Sequence, residues 1–332
     1  MTASGVSVAL CTYNGGRFIE EQLNSILAQV VPVSEIVVSD DGSTDDTLGI
    51  VRRVAAEVRA GKTSTQIRLL DSVGGRGVTK NFERSISACR GDLIVLADQD
   101  DIWHENKLGI MLEQFDTRQD LLFLHSDARL VDGSGVPLGR NLLDALEVSA
   151  PDRSAIHSGQ AFSVFLRRNL ATGATSMIRR DLLKFALPFP KEWVHDEWLA
   201  IVACAVAELD FVPEALIDYR QHGQNQIGVQ LPSLSIKVQR VLEPRGDRNL
   251  RLMLKFRTLV ARLEALDAVA PIAPEKMMWA TGKMAFEDLR SRLPAHRLLR
   301  LLPVAREGRK GSYRRYASQG WLDMFRDVLQ PI

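Results

Sequence analysis

The chain has 332 residues, 45% of them hydrophobic and 25% charged, with a net charge of +1 at pH 7. That is ordinary globular composition with room for one large domain or two modest ones, and it excludes a molecule built as a whole to grip nucleic acid. The three cysteines, Cys11, Cys89 and Cys204, are far apart and form no C-x-x-C pair. They exclude a disulfide framework and a thiolate zinc site and read as reduced, buried thiols.

Val6 to Leu10 is a short β-branched run that ends in polar turn residues and reads as a buried strand. It is too short for a membrane span and lacks the basic flank of a signal peptide, and no other stretch approaches a transmembrane helix, which places the machinery in the cytoplasm. Phe18, Ile19, Leu23, Ile26, Leu27 and Val30 then repeat at helical spacing. Ile36 to Val38 predicts a second strand, Leu48 to Val58 a second helix, Ile67 to Leu70 a third strand, Phe82 to Cys89 a third helix and Leu93 to Ala97 a fourth strand. Such alternation predicts an α/β fold with a mostly parallel sheet, whose ligands bind at the carboxyl ends of the strands. A fifth strand is predicted over Leu121 to Val131, a turn-rich loop over Gly133 to Gly139, and a helix holding Trp198, Leu199, Val202 and Val206. Short strands follow at Leu209 to Val212 and Leu216 to Tyr219, and 141–158 shows no clear period. Past about Leu231 strand signals vanish, so the expected division is a catalytic domain over 1–230 and a helical region over 231–332.

Polar residues gather at the predicted strand ends. Asp98-Gln99-Asp100-Asp101 follows the fourth strand. Carboxylates this close repel one another, and a divalent cation shared with a phosphate relieves them; oxygen ligands of this kind suit Mg2+ or Mn2+. A solvated acidic loop capping the helix near His104 would explain the run equally well. In Asp40-Asp41-Gly42-Ser43-Thr44-Asp45, either Thr44 or Asp45 suits a helix N-cap, while Asp40 and Asp41 are expected to face the cleft, where a carboxylate can accept a hydrogen bond from a uracil or thymine ring N–H. Gly74-Gly75-Arg76-Gly77 lacks the third glycine of a dinucleotide fingerprint, and Gly61-Lys62-Thr63 lacks the first glycine of a Walker loop, since Ala56 stands there.

Thr12-Tyr13-Asn14-Gly15, Asp40 to Asp45 and Ala97-Asp98-Gln99-Asp100-Asp101-Ile102-Trp103 together resemble the family 2 glycosyltransferases of GT-A (Rossmann-like) fold. His195-Asp196-Glu197-Trp198 and Tyr219-Arg220-Gln221-His222-Gly223-Gln224-Asn225 resemble the rhamnosyltransferase-like branch that builds bacterial surface polysaccharides. The resemblance covers about the first two-thirds of the chain and implies a nucleotide-sugar half over 1–103 and an acceptor half over 104–230. It implies that Thr12, Tyr13 and Asp41 hold the base, Asp98 the ribose, and Arg76 and Lys80 the diphosphate or sugar. Asp100, with His222, would bind the Mn2+ or Mg2+ ion. Asp196 would be the catalytic base. Beside it, Glu197 is a candidate acceptor or sugar contact, and Trp198 reads as core or as an aromatic face that stacks on a sugar. The implied reaction is inverting transfer from a UDP- or dTDP-sugar to a hydroxyl of a glycan or lipid-linked glycan. A sugar nucleotidyltransferase would need a glycine- and lysine-rich triphosphate loop, which Thr12 to Gly15 is not, and a non-catalytic nucleotide-sugar scaffold would have no use for Asp100 and Asp196.

The C-terminal region carries His296, Arg297, Leu298, Leu299, Arg300, Leu301 and Leu302, followed by Arg306, Arg309, Lys310, Arg314 and Arg315 with Tyr313, Tyr316 and Trp321. Cations with aromatic anchors suit the inner face of the cell membrane. An ordinary appendage, packed on the catalytic domain or on a second subunit of a homodimer with its arginines solvated, fits the same composition.

Overall fold

The computed structural model of the chain describes residues 5–61, 64–71, 74–223 and 243–331. Gln224, Asn225 and the boundary near Leu231 lie outside the described residues. The chain forms two compact units, Met1–Ala161 with Leu170–Val229, and Phe162–Asn169 with Gln230–Ile332.

The first unit is built on one sheet. Strands β1 (Val6–Thr12), β2 (Glu35–Asp40), β3 (Gln66–Leu69) and β4 (Leu93–Ala97) lie in the order β3-β2-β1-β4, all parallel. Helices α1 (Ile19–Leu27), α2 (Thr47–Ala60) and α3 (Val78–Ala88) make the crossovers. Every residue of β1, β2 and β4 is buried, as in strands covered on both faces, and their Val, Ile and Leu side chains form the core with Ile19, Leu23 and Val51.

Beyond β4 the sheet becomes mixed. β5 (Ile102–Trp103) leads into α4 (Lys107–Thr117), and β6 (Leu121–Asp132) follows. The loop expected over Gly133 to Gly139 is partly a hairpin strand, β7 (Pro137–Asn141), on β6. β8 (Ser176–Arg179) lies antiparallel between β4 and β6. The two short strands expected between Leu209 and Tyr219 are one strand, β9 (Glu208–Gln221). The break in the pattern is a bulge, because Val212 pairs with Ser126 while Ala215 pairs with Asp127, so Pro213 and Glu214 are extra residues. Helix α5 (His195–Val206) is buried along most of its length. All three cysteines are buried thiols, and burial pushes Cys89 up to about 12. Among the described residues no helix is long and apolar enough to cross a membrane.

Two pairings aim the sheet at the site. β1 and β4 run side by side; β4 ends at Ala97 opposite Leu10, and β1 continues two residues further to Thr12. β5 pairs with β9 through Ile102 and Asp218, which brings the turn before β5 alongside the residues that follow Tyr219.

The close approach of β1 and β4 begins at Gly91. The Ser7 hydroxyl donates to Glu35 Oε1 at 2.7 Å and accepts from the Gly91 N–H at 2.8 Å. A Cβ at position 91 would lie 2.6 Å from the Gly5 carbonyl oxygen and 2.8 Å from the Ser7 nitrogen, so backbone would have to move. Gly91→Ala is therefore expected to cost about 1–3 kcal/mol, in the range of other overpacked sites. Urea unfolding measures it, and an unchanged midpoint contradicts this account of the β1–β4 contact.

Candidate active site

The strand ends place the sequence-predicted residues at one edge. Thr12 ends β1 almost fully buried, and its hydroxyl donates to Asp40 Oδ1 at 2.7 Å. Asp40 also accepts from the Gly42 and Ser43 N–H groups and from the Ser43 hydroxyl. It is buried and fixes the turn, so it does not face a cleft as expected. Asp41 accepts from the Arg76 N–H at 2.8 Å and the Gly77 N–H at 2.9 Å and so holds the glycine-rich loop against the end of β2. Arg76 is exposed. Asp45, rather than Thr44, accepts from the first turn of α2, through the Thr47 N–H at 3.1 Å, and it also accepts from the Gly16 N–H. Tyr13 stands half-exposed; its N–H donates to Gln99 Oε1 and its carbonyl accepts from Gln99 Nε2, which ties the turn after β1 to the turn after β4. Lys80 directs its ammonium to Glu83 and to the Phe189 carbonyl, two bonds within the fold.

The acidic turn is the centre of the site. Asp98 is partly buried, and burial together with the charges of Asp100 and Asp196 pushes its carboxyl up to about 7. Asp100 Oδ2 lies 2.8 Å from His222 Nε2. Burial raises Asp100 above the usual carboxylate range despite that imidazole. Asp101 Oδ1 accepts from the Arg220 N–H at 3.1 Å, whereas its Oδ2 is buried without a hydrogen-bond partner. The Tyr219 phenol is pushed well up by burial and then by the charges of Asp101, Asp98, Asp100 and Asp196, which marks the ring as a neighbour of all four carboxylates. Four acids from two separate parts of the chain, with His222 from a third, thus share one edge of the sheet.

Asp196 stands in the first turn of α5, where the helix dipole favours a negative charge. Its Oδ2 accepts from the Gly173 N–H at 3.1 Å and its Oδ1 from the Glu197 N–H at 2.6 Å. Gly173 permits this approach, since a Cβ there would lie 2.8 Å from His195 Nε2. Glu197 is half-buried beside it. Trp198 corrects the expectation of an acceptor or sugar contact: it has no exposed surface, and its indole N–H donates to the Ala186 carbonyl at 2.7 Å. It packs on Trp193 as a core residue.

Sequence reasoning assigned no role to Arg220 or Lys107. Arg220 is buried; its Nε donates to the Asp100 carbonyl at 2.8 Å, one terminal nitrogen donates to Glu21 at 2.7 Å, and its guanidinium lies over Phe18, the ring on which His222 also stacks. Lys107 is fully buried on α4, donates to the Ala174 carbonyl at 2.9 Å and sits 3.9 Å over the Trp103 ring. Burial lowers it to about 7 against the opposing pull of Asp101 and Asp98. The signal for Lys107 was its place in the stripe Lys107, Met111, Phe115, a lysine at an apolar helical position.

Asp100 and His222 meet across one hydrogen bond and are the pair of side chains that could turn to a shared cation. Among the described residues no group of three or more His, Cys, Asp or Glu side chains is arranged to hold a metal ion on its own. Two protein ligands suit an ion that completes its shell with phosphate oxygens and water, the usual manner of Mg2+.

A parallel half-sheet with its acidic turn at the carboxyl edge, continued by a mixed half, is the GT-A form of the α/β fold. Residues 7–185 match the family model for glycosyl transferase family 2, and the chain belongs to that family. The dTDP-rhamnosyl transferase RfbG of Shigella flexneri is 43% identical over 246 residues, which cover 67% of this chain and 74% of that protein. The chain spans 66% and 74% of the first two curated relatives it matches and 18% of the third. Among solved structures, Staphylococcus aureus TarS 1-349 in complex with UDP-GlcNAc superposes with a TM-score of 0.53 at 19% identity, covering 98% of this chain and 90% of that one. The Pyrobaculum calidifontis mannosyltransferase PcManGT in complex with GDP-Man and Mn2+ also gives 0.53 at 19% identity, covering 97% and 84%.

His195 yields a test of how tightly the site is sealed. It stacks on Phe82 with centroids 3.8 Å apart, and burial pushes it down to about 3. The imidazole is neutral in the fold, whereas the unfolded chain takes up a proton near its usual value of about 6.5. The unfolded state therefore binds more protons as pH falls below that value, and stability present above it is lost toward pH of about 3. His195→Leu should flatten the fall in urea stability between pH of about 6 and 4. An unchanged slope would contradict a neutral, sealed imidazole.

Proposed function

We propose that the chain is an inverting glycosyltransferase that moves a sugar from a nucleoside diphosphate, a UDP- or dTDP-sugar such as dTDP-rhamnose, to a hydroxyl of a glycan or lipid-linked glycan. The observation that carries the reading is the convergence of Asp98, Asp100, Asp101, Asp196 and His222 at the carboxyl edge of β4. The 43% identity to a dTDP-rhamnosyl transferase favours a deoxythymidine donor. In this reading the chain works in surface-polysaccharide synthesis with peripheral contact at the inner face of the membrane. A complex of a fold neighbour with GDP-Man and Mn2+ favours a divalent cation.

In this reading Tyr13 and Asp41 border the base, Asp98 the ribose and Arg76 the diphosphate, while Asp100 and His222 hold Mn2+ or Mg2+. The ion supplies Lewis-acid neutralisation of the charge that develops on the leaving diphosphate. The remaining work belongs to the chain. Asp196 is held by two backbone N–H groups, which fix the direction of its lone pairs. It takes the proton from the acceptor hydroxyl while that oxygen attacks the anomeric carbon on the face opposite the diphosphate. A single displacement of this kind inverts the configuration.

Asp196→Asn keeps size and reach but cannot take the proton. Turnover with a lipid-linked or glycan acceptor, assayed over UDP-, dTDP- and GDP-sugars, should fall by roughly a hundred- to ten-thousand-fold, with donor affinity by calorimetry nearly intact. Glu197→Gln is the control and should keep most of its activity. Normal turnover in Asp196→Asn with loss in Glu197→Gln would move the base by one residue. Full activity in both would contradict a carboxylate base on α5.

A further inference from the structure

The second unit buries paired charges beside a small apolar core. Its helices are α6 (Arg248–Leu266), α7 (Pro274–Ser291), α8 (Arg297–Arg309), α9 (Ser312–Tyr316) and α10 (Trp321–Leu329). Where α7, α8 and α10 meet, the interior is charged. Arg290 bonds Asp327 at 2.7 Å and 2.9 Å and Glu287 at 3.1 Å, Lys283 bonds Glu287 at 2.7 Å, and the Tyr313 hydroxyl donates to Asp327. Arg300, on α8, is fully buried and donates to four carbonyls, those of Pro294, Ala295, Asp327 and Gln330. These charges are paired and hydrogen-bonded, so their burial is settled structure rather than a misplaced face.

The apolar side chains of α8 and α10 point the other way. At 3.6 residues per turn each residue advances by about 100°. On α8 the buried Arg300, Val304 and Glu307 share one side, and Leu298, Leu299, Leu301 and Leu302 occupy the opposite arc, exposed by 69%, 64%, 49% and 79%. On α10 the buried Asp323 and Asp327 share one side, and Trp321, Phe325 and Leu329 stand four apart on the other, at 65%, 54% and 44%. The two helices pack against each other. Tyr313 and Tyr316, expected as surface anchors, lie in the small core beneath, and Trp321 is the exposed anchor.

The charge around this face has one sign. Arg292, Arg297, Arg306, Arg309, Lys310, Arg314 and Arg315 are all exposed. Between 292 and 322 the acid is Glu307, which is buried and bonded to Lys310 and Ser312. Arg292 pairs with Asp288 and Lys310 with Glu307, and Arg297, Arg306, Arg309, Arg314 and Arg315 keep the rim cationic, so a partner protein would need to match both that rim and the leucine arc. An anionic bilayer offers both at once, acyl chains for the leucines and aromatics, headgroups for the guanidiniums.

We infer that the outer faces of α8 and α10 form an amphipathic surface that docks flat on an anionic lipid bilayer. This gives the membrane contact of the proposed function a named surface. The assay contains neither donor nor acceptor, so it succeeds or fails independently of sugar transfer. The full chain is sedimented with phosphatidylcholine vesicles, with and without phosphatidylglycerol. It should pellet with the anionic vesicles, and less so as salt rises from about 50 to 500 mM. The double variant Leu302→Glu and Phe325→Glu alters exposed positions, so it should keep its melting temperature and lose binding at least about tenfold. In the unmodified protein, brominated lipid should quench tryptophan fluorescence, and Trp321→Phe should remove that quenching, which gives a readout independent of the glutamate variants. The inference is overturned if the full chain ignores anionic vesicles at low salt, if the folded double variant binds them equally, or if Trp321→Phe leaves the quenching intact. It is also overturned if the double variant splits a dimer while vesicle binding persists, since the face would then join two copies of the chain.

Discussion

Mutual repulsion among the carboxylates of Asp98, Asp100 and Asp101 is the constraint around which the first unit is arranged. Three acids in four residues, partly or fully withdrawn from water, cannot all carry charge without a compensating partner. The fold meets this in stages. Burial and the neighbouring carboxylates push Asp98 up to about 7 and Asp101 well above its ordinary value, so the charged forms are disfavoured. Arg220 grips the turn through its own N–H and its guanidinium, and Lys107 approaches from α4 beneath.

The same constraint explains why distant parts of the chain meet here. The short β5–β9 ladder delivers Arg220 and His222 to the acidic turn, and the bulge at Pro213 and Glu214 adjusts the register that sets where they arrive. Phe18, at the start of α1, is then overlaid by both the Arg220 guanidinium and the His222 ring. On the far side Gly173 leaves room for His195 and lends its N–H to Asp196. Small backbone features, a bulge and one glycine, thereby fix the distances on which the chemistry depends.

The parallel half of the sheet was legible in the sequence because β1, β2 and β4 are apolar along their whole length and alternate with amphipathic helices. The mixed half was not. Its strand β8 has four residues, β5 has two, and β9 is interrupted in composition by its bulge, so none displays a period of its own. Within the site, residue types marked the acids well, but their partners were hidden by long-range pairing. Nothing local to Arg220 tells that it binds Asp100 and Asp101, more than a hundred residues earlier. Trp198 shows the converse: an aromatic beside two acids fits either a sugar platform or core, and the burial of every residue from Trp198 to Ala205 is the pattern of a helix packed all round. In the second unit composition revealed cations and leucines without their direction, because burying Arg300 reverses the usual sense of the helix.

In the proposed reaction Asp100 and His222 jointly hold a divalent cation that meets the donor's diphosphate. Calorimetric titration of dTDP and UDP into the protein, with Mn2+ and with EDTA, tests it directly. The predicted result is binding at least about tenfold tighter with Mn2+, an advantage lost in Asp100→Asn and in His222→Ala while both variants stay folded. Equal nucleotide affinity with Mn2+ and with EDTA, or an undiminished Mn2+ effect in both variants, would contradict it.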